Sequence, residues 1–281
     1  MPDQHWVEAV RRLRAAREPG VLVTLATVSG HAPRHAGAKM VVGASDTSGS
    51  IGGGNVEAVA IDRARELIAS AATTPELRTV ALSDKAPYQH GVQCCGGKVT
   101  VLLEPLPVVP AVAIFGVGHV GLELARILAR HDIELHLIDT RPEQLSGERL
   151  SMLADALAQV HVHQVPLLPE IVLGELPPGT HVLIMTHDHA EDAALCDAVL
   201  REGEFSSIGL IGSAGKWARF RHRLAEDGHS PEAIGRITTP IGLAEIAGKD
   251  PATIAVSVAA SLLHAFERQQ ANVRVEPDGA R

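Results

Sequence analysis

Apolar and polar positions follow two different rhythms along this chain. In the first twenty residues Val7, Val10, Leu13 and Ala16 recur at helical spacing and stop at Pro19-Gly20. VLVTLATV (21–28) is rich in β-branched residues and predicts a buried strand, and KMVV (39–42) predicts a second after the loop SGHAPRHAGA. SGSIGGGN then turns into a helix expected over about 56–71. Its apolar face carries Val56, Val59, Ala60, Leu67 and Ile68, with Asn55 placed as N-cap. LRTVAL (77–82) and KVTVLLE (98–104) read as further strands, which makes this half α+β.

EPLPVVP (104–110) holds three prolines in seven residues and no helical pattern, so it reads as a linker. Beyond it strand and helix patterns alternate: AVAIFG, HVGLELARILAR, ELHLID, HVLIMT (181–186) and SSIGLIG (206–212). Such alternation implies a parallel sheet with helices on both faces. A last long helix is expected over about 251–269, with Asp250 as cap and Pro251 at its first position. The fold class expected is α/β, an N-terminal α+β domain over 1–106 followed by a Rossmann-like, doubly wound domain over 107–281.

The 281 residues leave room for two cores, and with aromatics at 2% those cores must be built from Ala, Val, Leu and Ile. No apolar run approaches the roughly 18 residues of a membrane span, and the amino terminus lacks an apolar signal core. Both point to a cytoplasmic protein with no membrane partner. Residues 1–107 hold 11 Lys and Arg against 10 Asp and Glu, and residues 108–281 hold 14 against 23. An acidic second half argues against a nucleic-acid partner, which would select a basic surface. Cys94, Cys95 and Cys196 are too few for a disulfide framework.

Four segments carry candidate chemistry. In FGVGHVG, Gly116, Gly118 and Gly121 form G-x-G-x-x-G between a predicted strand and helix, and Asp139 ends the next strand 18 residues later. The glycines suit a tight turn, the approach of a pyrophosphate and close helix packing, while an acid at 139 would bond ribose hydroxyls. NAD(P) is the implied ligand, although adjacent Arg141 blurs the choice between the two dinucleotides and an empty Rossmann frame is also known. Gly52, Gly53 and Gly54, leading to Asn55, could expose backbone N–H groups as an anion nest, with Arg34 and Lys39 adding charge, or could merely reverse the chain. In QCCGGK, one of Cys94 and Cys95 beside Gly96, Gly97 and Lys98 could be a low-pKa soft ligand, or both could be small packing residues. In MTHDHAED, His187, His189 and Asp192 follow a strand end where they could ligate a metal or cap a helix. The remaining histidines, HVH at 161–163 among them, look scattered.

APRHAGAKM, SIGGGNVEA, QCCGGKVTVLLEP, IFGVGHVG, MTHDHAED, GLIGSAGKWARFRHRL and PIGLAEIAGKDPATIAVSVAASLL occur in this order between about residues 5 and 270. Together they resemble the XdhC/CoxI family of xanthine dehydrogenase accessory proteins. Some relatives carry a cysteine where this chain has Asn55, which leaves Cys94 and Cys95 as the only thiols of this half. The resemblance implies a dimeric chaperone rather than a catalyst. Such a protein binds molybdenum cofactor, guards it while a cysteine desulfurase installs its terminal sulfido ligand, and inserts it into apo-xanthine dehydrogenase. The alternatives are an NAD(P)-dependent oxidoreductase or a non-catalytic dinucleotide-binding regulatory module. Against the former, no Tyr-x-x-x-Lys or His–acid catalytic pair follows the glycine motif, and the single tyrosine is Tyr88.

Overall fold

A computed structural model of the chain describes residues 5–81, 97–165 and 167–272. They fall into two compact units, one drawn from residues 1–108 and 267–281 and the other spanning Val109–Phe266.

The first unit is an antiparallel sheet with a helix on each face. Helix α1 (His5–Ala16) precedes β1 (Gly20–Ser29), β2 (Lys39–Gly43) and β3 (Thr47–Gly49); α2 (Gly54–Ala69), β4 (Glu76–Ala81) and β5 (Lys98–Leu106) follow. The strand order is β3-β2-β1-β5-β4. Alternation along the strands separates two apolar clusters. Val21, Val23, Met40 and Val42 pack under Val56, Ala60, Ala64 and Leu67 of α2, whereas Val41 and Leu22 meet Ala9 and Leu13 of α1. Strand β5 runs into the proline-rich stretch as far as Leu106. β4 pairs with it only up to Leu103, so Pro105, which has no N–H to give, lies where one side of β5 has no β4 ladder to complete.

The second unit is doubly wound. Its elements are β6 (Ala111–Phe115), α3 (His119–Leu128), β7 (Glu134–Asp139), α4 (Gly147–Leu150), β8 (Gln159–Gln164), β9 (His181–Ile184), α5 (His189–Arg201), β10 (Ser207–Leu210), α6 (Ala214–Glu226), α7 (Pro231–Ile234), β11 (Ile237–Thr238) and, as far as Phe266, α8 (Pro251–Asn272). All the strand pairs are parallel, in the order β8-β7-β6-β9-β10-β11. Counted within the unit this is 3-2-1-4-5-6, the Rossmann order, with its switch point between β6 and β9. Val112 and Ile114 face α3 and α8, while Ala113 and Phe115 face α5 and α6. The expected cap of α8 is present, since Asp250 accepts the Thr253 N–H at 3.0 Å.

Candidate functional site

The glycine motif sits where β6 hands over to α3, and each glycine has a distinct reason to be there. Gly116 has φ +103°, and a Cβ on it would lie 2.7 Å from Thr186 Cα at the end of β9. At Gly121 a Cβ would overlap the carbonyl oxygen of Gly116, so the helix can approach the turn only without a side chain. At Gly118 a Cβ would meet nothing within 4 Å. The open face is therefore that of the middle glycine, the helix N-cap, where backbone can face an anion. Beside it lies a cavity of about 320 Å³ lined by His119, Leu122, Glu123, Arg149 and the start of α8. Arg149 donates to Val117 O at 3.2 Å, and its buried Nε has no hydrogen-bond partner among the described residues.

Asp139 lies at the end of β7, as the motif requires, but its carboxylate is committed to the protein. It is 3% exposed. It accepts from Val117 N at 2.7 Å, Arg141 N at 3.0 Å and both Nε and a terminal nitrogen of Arg141 at 2.9 Å. Burial pushes its pKa up, and the Arg141 and backbone hydrogen bonds outweigh that and hold it below the ordinary value. Asp139 thus clamps the glycine turn and leaves almost no surface for a ribose hydroxyl. Across the switch point, burial raises the Glu191 pKa against an opposing effect of His187, the neighbouring Asp139 charge adds to the rise, and Thr140 Oγ1 donates from 3.4 Å.

The third segment of this crevice separates its residues. His187 and His189 are exposed beyond β9, while Asp192 is fully buried on α5. Asp192 accepts from Thr186 N at 3.0 Å and Thr186 Oγ1 at 2.8 Å, and forms a buried ion pair with Lys216. Lys216 also reaches Ile211 O at 3.0 Å, so one pair ties together the ends of β9 and β10 and the starts of α5 and α6. The metal set His187, His189 and Asp192 does not converge, because its carboxylate is turned inward to a lysine. Asp188 instead caps α5, accepting from Ala190 N at 2.5 Å. Cys196 packs beneath this pair in the core, and burial pushes its thiol up to about 12.

In the first unit the nest predicted at Gly52–Gly54 forms, with all three glycines at positive φ. It holds an anion from its own chain. Glu57 accepts from Ile51 N and Gly53 N at 3.0 Å and from Ser50 Oγ at 2.5 Å, and Gly52 N donates to Ser50 Oγ at 3.1 Å. Burial raises the Glu57 pKa, but these donors outweigh it and hold it below the ordinary value. The helix starts two residues earlier than expected: Gly53 is the N-cap and Asn55 lies buried inside the first turn. Arg34 is exposed, and its Cγ lies 3.5 Å from where a Gly52 Cβ would be. Lys39 is not part of this group. The alternation of β2 places it on the α1 face, where Nζ donates to Thr24 Oγ1 at 2.7 Å and stands 5.3 Å from the Trp6 ring centre. Gly97 is pressed against the turn after β1, its Cβ position 2.9 Å from Ser29 O. Cys94, Cys95 and Gly96 lie outside the described residues.

Fold and site define a two-unit α/β protein whose second unit is a Rossmann domain with an open glycine turn. The chain belongs to the XdhC/CoxI family: residues 112–262 match the model of the XdhC Rossmann domain, and residues 13–80 match that of the XdhC and CoxI family. It is 27% identical over 270 residues to the molybdenum cofactor insertion chaperone PaoD of Escherichia coli, covering 86% of this chain and 82% of PaoD. It is 26% identical to the Escherichia coli protein YqeB, of which it spans 46% of the length while 92% of this chain is covered. A solved structure described as a xanthine dehydrogenase from Bacillus halodurans aligns over 94% of this chain and 96% of its own at TM-score 0.46 and 20% identity. Among the described residues no helix is long and apolar enough to cross a membrane.

Proposed function

We propose that this protein is an accessory factor that binds molybdenum cofactor and inserts it into an apo-molybdoenzyme. The observation that carries the reading is the likeness to PaoD, which runs through both units rather than the Rossmann unit alone. The recipient proposed is xanthine dehydrogenase, with a cysteine desulfurase as the sulfur source and a homodimer in the cytoplasm as the working form. The two halves, 1–106 and 107–281, would divide the work.

The residues of the first unit suit the cofactor. Arg34 offers an exposed guanidinium to a phosphate. Gly53 is open, since a Cβ there would meet nothing within 4 Å, so a flat ligand can approach the backbone. Because Glu57 already fills the nest, the anion would be met by Arg34 and the outer face of Gly52–Gly54. Cys94 or Cys95 would provide the soft donor. When bound, the cofactor supplies a dithiolene-held molybdenum centre, and the chain holds it, orients it and keeps solvent from it.

A second reading concerns the second unit alone. The open face of Gly118 and the cavity with His119 and Arg149 favour a phosphate-bearing nucleotide at the turn between Gly116 and Gly121, with NAD(P) as the test ligand. It would regulate or accompany cofactor transfer without a reaction of its own.

The insertion step is tested by supplying apo-xanthine dehydrogenase with cofactor, either free or preloaded on this protein, with cysteine desulfurase present. Faster activation by the preloaded form is expected. Equal activation by free cofactor would remove the insertion role.

A further inference from the structure

The parallel register of β7 and β8 brings together histidines that lie far apart in sequence. His136 stands directly opposite His161, and His163 follows two positions later on the same face of β8. Glu134 precedes His136 by two positions and so shares that face of β7. The ring centres of His136 and His161 are 4.7 Å apart, and those of His136 and His163 are 5.3 Å apart. One ligand atom from each of Glu134, His136 and His161 lies within 4.8 Å of the other two. Among the described residues this is the one such group of three. It sits on the α5 side of the sheet, along the strands rather than at their carboxyl ends, and so apart from the glycine turn.

Two features distinguish it from an ordinary cluster of core histidines. His161 Nε2 is buried with no hydrogen-bond partner among the described residues, and a buried polar atom left so requires a reason. In addition, His136 is already oriented. Its Nδ1 lies 3.0 Å from His163 Nε2, while its Nε2 lies 3.9 Å from a Glu134 carboxylate oxygen. With the proton on His136 Nδ1 donated to His163, the Nε2 lone pair faces Glu134. A metal-binding histidine characteristically has its other nitrogen fixed by such a partner.

We propose that Glu134, His136 and His161 bind a divalent transition-metal ion, Zn2+ by preference, with His163 as the positioning residue that fixes the His136 ring. Imidazole nitrogen and carboxylate oxygen are a zinc donor set, and three protein ligands leave a fourth position for water. Donors around tetrahedral zinc stand about 3.4 Å apart, given bonds of about 2.0–2.1 Å. The three donors, now within 4.8 Å of one another, would close to that spacing by rotation of the Glu134 and His161 side chains. β8 is the edge strand of its sheet, so a metal bridging it to β7 would pin that edge. This site is independent of molybdenum cofactor and of its proposed insertion.

The test uses full-length protein stripped with a chelator, dialysed, and titrated with Zn2+ by calorimetry and with Co2+ by absorption. One ion per chain, a higher Tm on binding and a tetrahedral-type Co2+ spectrum are expected. His161→Gln, on the edge strand, should weaken Zn2+ binding by roughly 10- to 100-fold or more, and His163→Gln by about 10-fold. Circular dichroism and metal-free Tm check that each variant folds, and Glu134→Gln serves if His161→Gln does not. The double variant His187→Ala with His189→Ala should bind as the parent does. Failure of the parent to take up stoichiometric Zn2+, or parental affinity in folded His161→Gln or Glu134→Gln, would overturn the proposal. So would loss of binding only in the His187 and His189 variant.

Discussion

At the scale of single residues, the three glycines of the turn make different demands and so give different mutational outcomes. A methyl group on Gly121 would collide with the Gly116 carbonyl, which is backbone and cannot rotate away. Gly121→Ala should therefore lower stability by roughly 1–3 kcal/mol. Gly118→Ala meets open space at an extended φ of −70° and should unfold within about 0.5 kcal/mol of the parent. Gly118→Trp should also fold, yet abolish any affinity for NAD(H) or NADP(H) by filling the approach. Thermal unfolding separates the first pair, and calorimetry checks the third. A parent protein that binds neither nucleotide would remove the nucleotide reading.

Buried charge at residue scale is equally specific. Asp192 and Lys216 are both almost inaccessible and satisfy each other. Asp192→Asn leaves a buried ammonium without its counter-charge and should cost on the order of 3–5 kcal/mol. The double variant Asp192→Leu with Lys216→Met should recover much of that, because two apolar groups replace two desolvated charges. The chain has two tryptophans, Trp6 in the first unit and Trp217 beside Lys216 in the second. Urea unfolding followed by Trp217 fluorescence in a Trp6→Phe background reads the effect in the unit concerned. Equal stability of Asp192→Asn and its parent would contradict this assignment.

At the scale of elements, the start of α2 depends on Glu57 folding back to close the glycine turn. Glu57→Gln keeps the shape but loses the charge that the Ile51 and Gly53 N–H groups and the Ser50 hydroxyl converge on, a change expected to cost about 1 kcal/mol near neutral pH. Because the folded-state pKa is depressed, the stabilisation is present above the ordinary value of 4.5 and is lost as pH falls through the lower folded value. The stability gap between parent and Glu57→Gln should thus close on acidification below 4.5, and a gap that widened instead would contradict the assignment. The glycine motifs were legible in the sequence because positive φ and close backbone approach restrict the residue type locally. Glu57 was not, since its carboxylate returns to the turn from inside the helix, and Asn55 looked the better cap. Lys39 was misread for a related reason: nearness in sequence to the nest does not decide which face of β2 a side chain takes. The Asp192–Lys216 pair spans 24 residues and two strand ends, and the group of Glu134, His136 and His161 requires the β7–β8 register. Neither leaves a local signal.

At the scale of the whole molecule, the change of rhythm near residue 107 foretold two kinds of sheet. Strands of an antiparallel sheet under one helix per face alternate in character, whereas parallel strands buried on both faces are apolar throughout and need crossover helices. β8 and β11 escaped the sequence reading because one is polar on an edge and the other is two residues long. Both units share in the likeness to a molybdenum cofactor insertion chaperone, and retention of that cofactor is the property on which the functional account stands. The most direct measurement is molybdenum and pterin per chain after anaerobic incubation with cofactor and gel filtration, made on the parent, Cys94→Ala and Cys95→Ala. The account predicts that the parent retains both components together and that at least one folded cysteine variant retains much less. A parent that elutes free of molybdenum and pterin would contradict it.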